Sequence, residues 1–218
     1  ALCNQRDDYM KRFISDLRRR AWRTAGARYN AARRLRRQET VSNVSLAMLS
    51  VLSIAVSVVS MVNPSATPNA WWGVLSIVLG VFLLATSLIV WKSAYGEKAG
   101  ALHRNAEELT AYRIKLESVL ARMDSGGVLE MSEVDVLRDD YDYIKKLCAY
   151  NHEPCDDNFF IRQHRFSDEF RLDCGCSSVG FWRSNFDAIK WFFAPLWVFF
   201  VIWLVVGLLV GFIYSGPC

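Results

Sequence analysis

The sequence predicts an all-α integral membrane protein: a two-span helical hairpin with long cytoplasmic helices, plus a third, C-terminal transmembrane helix. Three observations lead there. No Asp, Glu, Lys or Arg occurs from Val41 to Trp91, none occurs from Trp191 to Cys218, and basic residues crowd the stretch ahead of the first charge-free run. A hydrocarbon core about 30 Å thick takes about 20 apolar helical residues to cross. Core helices of soluble bundles rarely run that long without a charge.

Four segments follow from this pattern: 1–40, 41–91, 92–186 and 187–218. The first is a basic helical arm. It carries twelve Lys or Arg against four Asp or Glu, among them Arg18-Arg19-Arg20, Arg23, Arg28, Arg33-Arg34 and Arg36-Arg37. Tyr9, Met10, Phe13, Ile14 and Leu17 recur at steps of three and four, a helical stripe. Ala21, Ala27, Ala31 and Ala32 extend it with small residues that allow close packing. So much positive charge beside a span sets topology and suits anionic headgroups better than nucleic acid.

The second segment is the hairpin. Val44–Val62 supplies a span of 19 residues and Trp71–Trp91 one of 21. Between them Asn63-Pro-Ser-Ala-Thr-Pro-Asn69 reads as a turn, because two prolines and two asparagines do not continue a helix. Ser50, Ser53, Ser57 and Ser60 share one face of the first span; Gly73, Ser76 and Gly80 answer from the second. Small residues let membrane helices approach closely and hydroxyls bond across the gap. This face reads either as helix packing within the hairpin or as the weakly polar lining of an oligomeric pore. No span holds an ionisable residue, which argues against an ion-coupled transporter.

The third segment returns to the helical period. Leu102, Asn105, Leu109, Tyr112, Leu116, Val119 and Met123 alternate steps of three and four, a heptad seam. It needs a cover: the arm, the next helix or a second subunit. Leu102, Leu109, Leu116 and Met123 are accordingly assigned to an oligomer helix. Asp124-Ser125-Gly126-Gly127 ends it. A further helix is expected over 132–150, with Ser132 and Asp135 as its cap. The fourth segment holds the third span, Trp191–Tyr214, with Gly207 and Gly211 as a small-residue pair.

Orientation follows from charge. The arm is strongly basic, the hairpin tip is uncharged, and basic flanks stay in the cytoplasm. The N-terminus and residues 92–190 are therefore expected in the cytoplasm, and the C-terminus outside, in a multi-pass protein of the cell inner membrane.

Chemistry is sparse. Cys148, His152, Cys155, Cys174 and Cys176 are suitable zinc-ligand types, but the only close pair is Cys-x-Cys, so neither metal nor cofactor is assigned. His152, Glu153 and Asp156 are not accompanied by a nucleophile elbow, phosphate loop or metalloprotease helix, so no enzyme and no small-molecule substrate are expected. Asn151 and His152 read as a helix end.

The arm reads Trp22-Arg-Thr24-x-x-Ala27-Arg28-x-x-Ala31-x-x-Arg34-Leu35, and the distal part reads Tyr150-Asn151-His152-Glu153 followed by Asp156. With the two-span hairpin between them, this resembles the SLATT domains, two-span effector domains associated with SMODS nucleotidyltransferases and SLOG sensors. It is most similar to the subfamily found beside reverse transcriptases. The resemblance covers about residues 10–160; the third span departs from the two-span pattern. It implies an oligomeric, pore-forming or membrane-permeabilising effector of a bacterial anti-phage (abortive infection) system, without catalytic residues. Its partners would be membrane lipids, further copies of itself, and a reverse transcriptase or nucleotide-signalling protein. The motif Asn151, His152, Glu153 and Asp156 is left without a role. The alternative is a non-conducting membrane anchor that recruits a cytoplasmic partner protein.

Overall fold

The computed structural model describes residues 2–62, 71–167, 169, 181–193 and 196–214. The expected turn at 63–69, Cys174, Cys176 and the 215–218 tail lie outside the described residues. Among the described residues there are seven helices and no strand: α1 (Leu2–Val62), α2 (Trp71–Ser93), α3 (Tyr95–Asp124), α4 (Met131–Leu147), α5 (Pro154–Gln163), α6 (Phe181–Phe193) and α7 (Trp197–Tyr214).

The arm and first span are one uninterrupted helix, because no Gly-Pro or other breaker separates the basic stretch from the charge-free one. The second span and the heptad helix, in contrast, are not continuous. Ala94 takes φ 49° between α2 and α3, and its N–H reaches the Trp91 carbonyl at 3.3 Å. A residue with a Cβ gives up roughly 1–2 kcal/mol in this left-handed region. The periodicity carried no sign of it.

The chain divides into two compact units. The first joins residues 1–34 to 97–192, so the arm and the third sequence segment, read as separate domains, fold as one. Its core is formed by Met10, Ile14, Leu17, Ala21 and Ala25 of α1, Leu109, Tyr112 and Leu116 of α3, and Leu129, Val134, Leu137 and Tyr141 on and beside α4. Leu102 is also fully buried, and Val119 and Met123 pack at the core's edge. The heptad seam is thus covered by the chain's own α1 and α4. The α4 cap is also not the expected one. Glu130 is the N-cap and Glu133 closes the capping box, with the Glu130 N–H donating to Glu133 Oε2 at 3.1 Å. Helix α3 ends at Asp124 as expected, and Gly126 takes φ 90° in the turn beyond it.

The second unit comprises residues 35–96 and 193–218. Leu49 and Val56 of α1, Leu75 and Leu79 of α2, and Val206 of α7 form its buried cluster. Two of the described helical stretches are long and apolar enough to cross a membrane; only 22% of the apolar window in the first and 11% in the second is buried. A soluble core helix would be mostly covered, so these faces are built for lipid. Of the run expected as a third span, residues 191–193 end α6 and Trp197–Tyr214 form α7; residues 194 and 195 lie outside the described residues.

Replacing Leu109 and Leu116 together by Ala removes two fully buried side chains from the first unit. Each such change costs about 2–5 kcal/mol. The double variant should lower the thermal midpoint of this unit and expose the arm to limited proteolysis, in monomer and assembly alike.

Candidate functional site

The residues that carry the arm motif and the distal motif meet in the first unit. Helix α5 starts at Pro154, whose fixed φ suits a first helical position. Glu153 is its N-cap and Asp156 its third residue. Asp156 Oδ2 accepts the Glu153 N–H at 3.0 Å, closing a capping box. The Asp156 carboxylate is fully buried and accepts three further bonds: Arg34 Nε at 3.0 Å and Arg34 Nη2 at 3.1 Å, a two-pronged fork, and Trp191 Nε1 at 2.8 Å from α6. Glu153 adds a second carboxylate 3.0 Å from the Arg34 guanidinium. Burial alone would lower the Arg34 group; the hydrogen bonds and charge of Asp156, with Glu153, outweigh it and hold it above its ordinary value.

The next positions along α1 continue the contact. Asn30 Nδ2 donates to the Asp156 carbonyl at 3.3 Å. Arg28 is buried with no carboxylate beside it among the described residues. Its Nη2 donates to the Lys145 carbonyl at 3.2 Å, its Nη1 donates to Asn105 Oδ1, and Asn105 Nδ2 donates to the Ile144 carbonyl at 2.6 Å. Arg28 and Asn105 therefore cap the C-terminal turn of α4, where the helix dipole favours a cation. Burial lowers the Arg28 group, with Cys148 and Tyr141 opposing. Thr24 Oγ1 lies 3.1 Å from the Tyr141 hydroxyl. Arg23 grips Asp157 at 2.7 and 2.5 Å.

Trp22 meets Phe160 edge-on at 5.3 Å and His164 at 4.8 Å. A Cβ at Gly26 would overlap the Phe160 ring, so only glycine lets α5 lie this close to α1. Sequence reasoning missed Gly26, Asn30, Phe160 and the site role of Trp191. The one signal available was that Gly26 and Asn30 fall among the small residues Ala25, Ala27, Ala31 and Ala32 of α1.

The motif left without a role is thus the receptor for the arm. Asn151 Oδ1 accepts the His152 N–H at 3.0 Å, and Glu153 and Asp156 form the cap. His152 is half-buried; burial lowers its pKa, with Asp157 opposing, and its Nδ1 has no hydrogen-bond partner among the described residues. Cys148 and Cys155 are half-buried free thiols. Burial pushes the Cys155 thiol up to about 11, with Asp156 adding to it, so it stays protonated and unreactive at neutral pH. No three His, Cys, Asp or Glu residues converge as a metal site among the described residues.

In the second unit the serine face is partly engaged. Ser57 and Ser76 hydroxyls pair at 2.6 Å across the hairpin, and Ser57 also donates to the Ser53 carbonyl at 2.8 Å. Ser50 turns back to the Leu46 carbonyl at 2.9 Å. A Cβ at Gly73 or Gly80 would meet nothing within 4 Å, so these glycines are not used in packing the hairpin itself. The Ser60 side chain lies outside the described set.

A charge-free hairpin and a helical unit clasped by a buried ion pair define a helical membrane protein with two candidate spans. The chain belongs to the family of SMODS and SLOG-associating 2TM effector domains, family 5 (SLATT_5), whose model matches residues 10–213. The match runs well past residue 160, so α6 and α7 lie within the family's own extent rather than beyond it. No curated protein and no solved structure matches the chain.

Two predictions follow from the clasp. Asp156→Asn keeps the side-chain volume but removes the charge from Arg34; breaking a buried pair costs about 3–5 kcal/mol. The variant should melt at clearly lower temperature, and the arm should become the first site of proteolysis. His152 gives a pH dependence. Its folded pKa lies below the ordinary 6.5, so the unfolded chain binds the proton first as pH falls. Stability is fully present above pH 6.5 and declines as the pH falls from there towards the lowered value. His152→Asn should flatten that part of a melting-temperature profile.

Proposed function

We propose that the chain is the membrane-permeabilising effector of a bacterial anti-phage system: a homo-oligomer in the inner membrane that arrests the infected cell without catalysis. The observation that carries this reading is the hairpin. Its two charge-free helices are mostly uncovered, the Ser57 and Ser76 hydroxyls pair across it among the described residues, and a Cβ at Gly73 or Gly80 would meet nothing within 4 Å. Membership of a two-span effector family supports it. In this reading α7 is a third span. It has 18 residues, which at 1.5 Å per residue falls slightly short of a 30 Å core and asks for local thinning or flanking helix. The arginine-rich arm keeps the N-terminus and the first unit in the cytoplasm, and the C-terminus outside. A reverse transcriptase or nucleotide-signalling protein supplies the trigger.

Because the heptad seam is occupied by α1 and α4, assembly in this reading falls to the hairpin and α7. Small open faces are where membrane helices associate. The test is dye release from liposomes carrying the purified protein; a non-conducting anchor would release none. Gly80→Leu is the discriminating variant. A Cβ there meets nothing within 4 Å, and Gly80 lies in the second unit, so insertion and the melting of the first unit should be unchanged, while crosslinked oligomer and dye release are lost. Release equal to that of the parent would place this face toward lipid.

A further inference from the structure

Helix α6 turns an apolar stripe outward. Two contacts fix how it lies on α5. Trp191 is buried; its ring stacks on Phe159 with centroids 4.2 Å apart, and its Nε1 donates to Asp156 Oδ1 at 2.8 Å. Asn185 Oδ1 accepts from Arg162 Nη2 at 3.3 Å. A helix turns once in about 3.6 residues. Trp182, Phe186 and Ile189, at steps of four and three, therefore share one side. Trp191, two positions after Ile189 and five after Phe186, points away from it. The stripe is open to the surroundings: Trp182 is 85%, Phe186 68% and Ile189 58% exposed. Lys190, at its flank, is exposed as well. A helix packed on a protein in water shows the reverse, apolar inward and polar outward. Large apolar side chains in a row on the outer side mark a surface that meets something other than water.

We propose that α6 is an interfacial helix, with Trp182, Phe186 and Ile189 sunk into the boundary between headgroups and acyl chains of a phospholipid bilayer. The continuity of the chain carries the choice of occupant. The last Asp, Glu, Lys or Arg in the sequence is Lys190, and α7 begins at Trp197, four positions after α6 ends. Four extended residues reach at most about 14 Å, so with α7 as a span α6 stays near the membrane surface. The inference rests on that reading of α7 for this proximity. A bilayer boundary suits these side chains: indole rings favour it, lysine reaches back to the headgroups, and an apolar helix face sinks about 5–10 Å into it. A second copy fits less well. A stable interface buries about 800 Å² on each partner, more than three side chains of a 13-residue helix offer. Lipid on one side of α6 and the bond from Trp191 to Asp156 on the other hold the clasp at the level of the headgroups.

The experiment uses the full chain in nanodiscs of phosphatidylethanolamine and phosphatidylglycerol. A photoreactive benzophenone side chain, p-benzoylphenylalanine, replaces Phe186 or Ile189, one position at a time. The same probe at exposed Asp139 of α4 is the reference for water, and at exposed Leu204 of α7 the reference for a span. After irradiation, mass spectrometry identifies what each probe has joined. Phospholipid adducts at Phe186 and Ile189 should exceed those at Asp139 about tenfold. Circular dichroism should be unchanged, because both positions are exposed. Adduct levels no higher than at Asp139 would overturn the proposal. So would adducts that join two chains in place of lipid. Lipid adducts at Leu204 without any at Phe186 and Ile189 would sink the interfacial helix alone. The opposite pattern would remove the third span and leave the interfacial helix standing. No outcome depends on dye release, so failure here and failure of the permeabilising reading are told apart.

Discussion

The ion pair between Asp156 and Arg34 is the contact on which the first unit depends. One carboxylate caps α5, receives the fork of α1 and accepts the indole of α6. Fully buried, it would cost several kcal/mol if left alone; four donors arranged around it remove that penalty. What such a pair contributes best is uniqueness. The face of α1 that packs here is alanine at positions 21, 25, 27, 31 and 32. A smooth small-residue face tolerates a slip of one turn, whereas a bidentate fork does not. Arg28 on the α4 turn and Gly26 against Phe160 fix the same register independently.

The heptad seam teaches a related point about occupancy. An apolar stripe on a helix in water states that something covers it, but not what. Here Leu109 and Leu116 share one buried core with Met10, Ile14 and Leu17 of α1 and Val134 and Leu137 of α4. Asn105, the polar residue in the seam, fixes register within the chain by holding Arg28 and the Ile144 carbonyl.

The parts of the fold legible in the sequence were those set by long-range composition: the charge-free runs, the arm stripe, the seam and the end at Asp124. The parts that stayed hidden depend on pairings between distant residues. Arg34 and Asp156 are separated by 122 positions, and among the arm's many arginines nothing local marked Arg34 as buried or Arg33 as exposed. The exposed Arg36 and the buried Arg28 likewise look alike in one dimension. The α4 cap was misassigned because Glu is a rare N-cap while Ser132 was a common one. Ala94 was invisible because alanine carries no sequence signal for a left-handed backbone.

The two units use small residues in opposite ways. In the first, the alanines of α1 are covered by the chain itself, because water drives every available apolar face inward. In the second, Leu and Val pack the hairpin while Gly73 and Gly80 remain uncovered. Lipid tails are as apolar as leucine, so no comparable force hides a residue in a membrane; association there comes from how closely backbones can approach. A glycine that its own chain does not use leaves a groove where a neighbouring helix loses least by leaving lipid. The hairpin has spent its polar pair, Ser57 with Ser76, internally. Contact between neighbours at Gly73 and Gly80 would then rest on how closely the backbones approach.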